Sequence, residues 1–180
     1  VASSQSITEG QSVTISGVYK EDNTGYSGQT ITVYYKPDGG SESSTTTTTG
    51  SGGAYSVTLS GLLHSGSPYT VWAETPDVES SEISVTVSAK PVPTLSLSAV
   101  SSSISVGDTP QLTGSLVYSG SGLTGKSVKI YRGSTLVDTV TTGSGGSFSF
   151  TDSATSSSGR LDYKAVFEGD LTYTGAESSV

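Results

Sequence analysis

The chain has 180 residues with 23 Gly, no Cys, no Met and a formal net charge of −8. That excludes disulfides and thiolate metal sites, and its acidity disfavours phosphate backbones and anionic lipid. The first 90 residues carry nine Asp/Glu against three Lys/Arg, and no basic stripe with interleaved aromatics occurs, so nucleic acid is not an expected partner. No apolar run approaches a membrane span, so direct membrane insertion is not expected of this segment. The opening ten residues lack the basic and apolar parts of a signal peptide, and an export signal or anchor is expected elsewhere.

Roughly a third of the chain is Ser plus Thr, a composition that alone would suit disorder. The apolar residues instead fall in short alternating runs between turn residues, the pattern of an all-β domain. In chain order, period-2 alternation turns Val13 and Ile15 inward, then Ile31 and Val33. Pro37-Asp38-Gly39-Gly40 and Thr49-Gly50-Ser51-Gly52-Gly53 are read as hairpin turns supplying positive-φ positions. Tyr55, Val57 and Leu59 point inward next, then Tyr69, Val71 and Ala73, and finally Ile83, Val85 and Val87. After Ala89-Lys90-Pro91-Val92-Pro93, whose alternate prolines favour a short semi-rigid connector, the series begins again. Its inward residues are Leu112 and Leu116, Val128 and Ile130, Phe148 and Phe150, then Tyr163, Ala165 and Phe167.

The second series copies the first. Ser6-Ile7-Thr8-Glu9-Gly10 matches Ser103-Ile104-Ser105-Val106-Gly107, and residues 28–34 match 125–131 at the same offset. Residues 49–57 match 142–150, Tyr69-Thr70-Val71-Trp72-Ala73-Glu74 matches Tyr163-Lys164-Ala165-Val166-Phe167-Glu168, and Glu79-Ser80-Ser81 matches Glu177-Ser178-Ser179. Matched blocks in one order mean two copies of one unit. The expected architecture is all-β: two tandem immunoglobulin-like Greek-key β-sandwiches joined by a short Pro-containing linker. Their expected bounds are residues 1–89, with the first strand truncated, a linker at 90–93, and 94–180, with the last strand truncated. Val1 is then the equivalent of Ser98, and the closing strand of copy two would start only at Val180. Either a longer array continues on both sides, or a neighbouring subunit supplies the missing strands in trans.

Gly125-Lys126-Ser127-Val128-Lys129-Ile130-Tyr131, residues 143–150 and residues 163–173 together resemble the prokaryotic immunoglobulin-like repeats of cell-surface proteins and adhesins. The shared segments are Gly-x-x-Val-x-Ile-Tyr, Gly-Gly-x-Phe-x-Phe and Tyr-x-Ala-x-Phe-x-Gly-Asp-x-x-Tyr. Copy one departs from the last of these, with Thr75-Pro76-Asp77-Val78 at the Gly-Asp turn. The resemblance implies spacing, stalk-building or adhesion at an extracellular surface, with neighbouring repeats of the same or identical chains as partners. It names no ligand, because one sandwich hosts many functions.

No residue pattern calls for catalysis. His64, the sole histidine, sits in Leu62-Leu63-His64-Ser65-Gly66, a turn without a nucleophile motif, and reads as a solvent-exposed loop residue. The two Thr-Gly-Ser-Gly-Gly segments lack the Lys and following helix of a phosphate loop. Carboxylates gather at Glu21-Asp22, at Asp77, Glu79 and Glu82, and at Glu168 and Asp170. None has Asp-x-Asp spacing, so no cofactor is expected, and Ca²⁺ is the one metal these groups raise. If Val33 and Val71 point inward, Tyr34 and Trp72 point outward on neighbouring strands and form a cross-strand aromatic pair. Tyr131 and Val166 are the expected equivalents in copy two. Such a face is the candidate binding or packing surface, for a glycan, a partner protein or a neighbouring chain.

Overall fold

Alternating β-branched and aromatic residues build strands throughout the computed structural model, which describes residues 5–153, 155 and 158–180. Two compact units form, Val1–Lys90 and Pro91–Val180. The expected equivalence of Val1 and Ser98 lies outside the described residues.

In the first unit, β1 (Ser6–Thr8), β2 (Val13–Val18) and the short pair β3 (Lys20–Glu21) and β4 (Thr24–Gly25) precede β5 (Thr30–Pro37) and β6 (Ser43–Thr48). Then come β7 (Ala54–Leu59), β8 (Tyr69–Glu74) and β9 (Ile83–Ser88). One sheet runs β1-β9-β8-β5-β6, and β2 pairs β7 in the other. Val13, Ile15 and Leu59 from the two-stranded sheet meet Ile31, Val33, Val71, Ala73, Val85 and Val87 from the five-stranded one. Tyr55 and Val57 reach the same core only half-buried.

The second unit repeats the scheme with β10 (Thr94–Ala99), β11 (Gln111–Tyr118), β12 (Ser121–Gly122), β13 (Ser127–Arg132), β14 (Thr135–Thr141), β15 (Ser147–Thr151), β16 (Tyr163–Phe167) and β17 (Ala176–Ser179). Here β11 pairs β10, β12 and β15, while the facing sheet runs β14-β13-β16-β17. Leu112, Leu116, Phe148 and Phe150 face Val128, Ile130, Ala165 and Phe167 across its core. Both units are immunoglobulin-like β-sandwiches, and each inward face follows the alternation. Pro91 is tied into this second unit, its carbonyl accepting the backbone N–H of Thr174 at 3.0 Å.

Two expectations need correction. The Thr-Gly-Ser-Gly-Gly segments are not hairpin turns, because β6 pairs β5 whereas β7 pairs β2, and likewise β14 pairs β13 and β15 pairs β11. Each segment is a 3₁₀ corner carrying the chain from one sheet to the other. Glycine is needed because the corner presses on a neighbouring backbone: Gly53 has φ +76, and a Cβ there would lie 2.0 Å from the Tyr19 carbonyl oxygen. The closing strand of copy two also starts earlier than Val180. Glu177-Ser178-Ser179 lie within β17, where Val166 opposes Glu177 and Ala165 opposes Ser178. Val180 exchanges both backbone hydrogen bonds with Tyr163. Since Tyr69 opposes Val85 in the first unit, Val180 stands in the place of Val85, and Glu177 in that of Glu82. Both copies contain an acid followed by serines nearby, and that local likeness misled the sequence match by three residues.

Gly53→Ala should therefore cost more than the ~1–2 kcal/mol of left-handed backbone alone. Gly28→Ala, at φ +81 with open space around its Cβ position, should cost only that strain. Urea denaturation of the two variants checks the order.

Candidate functional site

The outer face of the five-stranded sheet follows from its register. Val33 and Val71 are fully buried, so the residues following them project away from the core. Tyr34 lies directly opposite Trp72, with Ser44 on its other side. The two rings stack, centroids 5.3 Å apart and planes 11° from parallel. Both residues are half-buried. The Tyr34 hydroxyl has its pKa raised first by loss of solvation, then by the nearby Glu74 carboxylate and by Glu42. The result is a flat π surface edged by carboxylates and hydroxyls. Such a surface can stack on the C–H face of a sugar ring or on another apolar surface.

The second unit lacks this pair. Tyr131 is opposed by Lys164, and Val166 is opposed by Lys129 instead. The expected Tyr131–Val166 partnership is thus displaced by two residues. Arg132 pairs Thr135 across a tight turn, with a bulge between Ile130 and Tyr131. The ammonium of Lys164 sits 5.6 Å from the Tyr131 ring centroid and 3.1 Å from Glu177. Lys129 pairs with Glu168 at 2.6 Å. A stacked aromatic face in one unit is a laced charge face in the other.

The sequence reading missed a buried polar triad. Asp152, 8% exposed, accepts the Tyr163 hydroxyl at 2.7 Å and Arg132 Nη1 at 2.8 Å. Burial acts to raise the Asp152 pKa, but the hydrogen bonds from Tyr163 and Ser153 and the Arg132 charge outweigh it and leave the pKa lowered. Tyr163 is pushed up to about 12, by burial first and by Asp152 second. The signal was available, since Asp152 occupies the slot of Leu59 in the repeat and continues the inward alternation of Phe148 and Phe150. A second missed feature is a buried threonine common to both copies. Thr49 Oγ1 donates to the Tyr26 carbonyl and accepts from the Gln29 N–H. Thr142 Oγ1 does the same with the Leu123 carbonyl and Lys126 N–H.

His64 opens a 3₁₀ turn, its Nδ1 2.8 Å from the Val87 carbonyl and its backbone N–H donating to Glu9. It clamps the end of β9. Of the carboxylates, Asp170 is bonded to Lys126 Nζ at 2.5 Å and accepts the N–H groups of Thr172 and Tyr173. Its pKa falls to about 2, chiefly through the Lys126 hydrogen bond. This is the Gly-Asp turn of the resemblance, and it works as a backbone staple. Among the described residues no group of three or more His, Asp or Glu is placed to hold a metal ion. No helix there is long and apolar enough to cross a membrane.

Comparison with known proteins adds the fold and little more. No family model matches, and no curated protein matches. Among solved structures, the chain is similar to a Ca²⁺-stabilised adhesin with which an Antarctic bacterium reaches out and binds ice. The TM-score is 0.52 at 18% identity, covering 93% of this chain and 42% of that one. The fold is the immunoglobulin-like sandwich. The fibronectin(III)-like modules of Clostridium thermocellum CbhA align with a TM-score of 0.42 at 16% identity, over 98% of this chain and 86% of theirs. The D0-D1 domain of intimin gives 0.37 at 16%, over 99% and 95%. The chain spans less than half the length of the ice-binding adhesin structure.

Removing the Asp152 carboxylate in Asp152→Ala strands the Tyr163 hydroxyl and Arg132, and should cost about 2–3 kcal/mol. That is less than a fully buried pair because Arg132 is partly exposed. Asp170 gives a pH signature. Its folded pKa lies below the unfolded value, so its contribution is present above ~4 and is lost as pH falls through about 2. Asp170→Asn should cost about 1–2 kcal/mol at pH 7, reduced by solvent screening, and almost nothing near pH 2. Chemical denaturation across that range reads both.

Proposed function

We propose that the chain is a non-catalytic extracellular element of a prokaryotic cell. In this reading its immunoglobulin-like repeats form part of a stalk, filament or surface layer, beside neighbouring repeats of the same or identical chains. The carrying observation is the same sandwich built twice, each with its own apolar core. Every buried side-chain nitrogen or oxygen among the described residues has a hydrogen-bond partner within the protein. Polar groups inside each unit are thus engaged in holding strands together, and none is left poised for a substrate. The acidic, hydroxyl-rich exterior suits an exposed surface that stays soluble. The likeness to an adhesin that reaches out from a bacterium supports this reading at the level of architecture.

A second reading, an adhesin module, is favoured by one observation: the stacked Tyr34–Trp72 face. In that case the face recognises a glycan or a partner protein. The two readings separate in the laboratory. Antibodies raised against the chain should label intact cells carrying the full-length protein, and labelling only after lysis defeats the surface role. On a glycan array a spacer gives no signal. An adhesin gives one that Trp72→Ala abolishes and Tyr131→Ala leaves unchanged.

A further inference from the structure

The two units fill one end of their cores differently. In the second unit, Leu116, Phe148 and Phe167 are buried there with Val128. The first unit keeps the frame and changes the filling. Tyr19 takes the place of Leu116, since the corner glycines Gly53 and Gly146 press on the carbonyl oxygens of these two residues. Tyr55 takes the place of Phe148, each ring lying across the glycine opposite it, Gly17 or Gly114. Phe167 has no bulky counterpart. By sequence its place falls to Ala73, and by the two-residue shift of register against β5 it falls to Thr75.

Relative to the second unit, a phenyl ring is missing and two hydroxyls are added. A cleft of about 250 Å³ stands between the sheets at that place, its lining including Tyr19, Ile31, Tyr55, Ala73 and Thr75. The half-buried Tyr55 hydroxyl has no hydrogen-bond partner among the described residues, and loss of solvation raises its pKa. It stands apart from the fully buried polar groups, all of which are partnered. An apolar floor with a few polar groups in its wall is the form of a small-ligand site. The volume exceeds the ~150 Å³ of apolar cavity that holds benzene, which leaves room for a ring and one substituent. A sugar would set several hydroxyls against Ile31 and Ala73, whose side chains cannot hydrogen-bond. The excess of nine Asp/Glu over three Lys/Arg in residues 1–90 disfavours an anion.

We propose that this cleft binds a free, uncharged molecule with one aromatic ring and one hydroxyl, a simple phenol. Its ring takes the place that the Phe167 side chain fills in the second unit, and its hydroxyl pairs with that of Tyr55. The second unit supplies the template for the ring, and the unpartnered Tyr55 supplies the reason for a polar atom on it. The cleft lies on the core side of β5 and β8, so it is separate from the Tyr34–Trp72 face on their outer side. The proposal does not depend on where the protein resides, and its failure would leave the surface role standing.

The probe is p-cresol, titrated into the intact chain and followed by amide shifts. Saturable one-to-one binding is expected, with shifts confined to the residues lining the cleft and their neighbours. Toluene, the same molecule without its hydroxyl, should bind about fivefold more weakly. Tyr55→Phe, which matches Phe148 of the second unit and so should fold, should erase that preference while leaving toluene binding intact. Ala73→Phe should abolish binding of both compounds. Absence of saturable p-cresol binding overturns the proposal, as does equal affinity for toluene, or a preference that survives Tyr55→Phe. Binding of methyl glucoside at the same residues refutes the choice of an aromatic ring. N-acetyl-tyrosinamide carries the p-cresol ring on a polypeptide backbone. If it binds more tightly than p-cresol, the cleft is a seat for a protein side chain and the free phenol is refuted.

Discussion

The pleat is the constraint from which everything else follows. Once Val33, opposite Ala73, and Val71, opposite Tyr35, are driven into one core, the alternation of β5 and β8 forces Tyr34 and Trp72 to the outside and into register. A slip of one residue would bury Tyr34 and Trp72 and expose both valines. The candidate surface is therefore not an independent device. It is the reverse side of the apolar core, held flat by the same hydrogen-bonded ladder.

The second unit shows how far such a frame can vary while its inward face is conserved in kind. In the second unit β16 pairs β13 two residues further along, while β13 carries a bulge against β14 after Ile130. Because two is the period of the pleat, every inward residue stays inward and only the lateral partners change. Lys164 replaces an aromatic partner, and the outer face becomes one of ion pairs and a cation over a ring. Inside, Asp152 takes the slot of Leu59, and the unit absorbs a buried carboxylate by giving it Tyr163 and Arg132. The same pair of sheets thus tolerates an apolar or a fully partnered polar solution at one position.

Both units also share devices that carry no chemistry. The buried threonines Thr49 and Thr142 lash a loop to the strand beside it, and the glycine corners let one sheet's backbone rest on the other's. The Asp170 staple and the His64 clamp do similar work at single sites. Together they account for many of the polar residues that could otherwise be mistaken for a reactive centre. A residue type known for catalysis or metal binding is here occupied by its own backbone.

Alternation in the amino-acid sequence determined the strand class, the inward faces and the twofold repetition, because the pleat's period and the repeat's matched blocks are local properties of a linear string. The outward placement of Tyr34 and Trp72 was legible for the same reason. Three things were decided only in the folded molecule. Which residue of β16 faces Tyr131 depended on the register of β16 on β13, and the role of the Thr-Gly-Ser-Gly-Gly segments depended on which sheet received the next strand. The partners of Asp152, Arg132 at the end of β13 and Tyr163 at the start of β16, come from two other strands. Each of these is a long-range pairing, and pairing partners far apart in the chain leave no periodic trace in either strand alone.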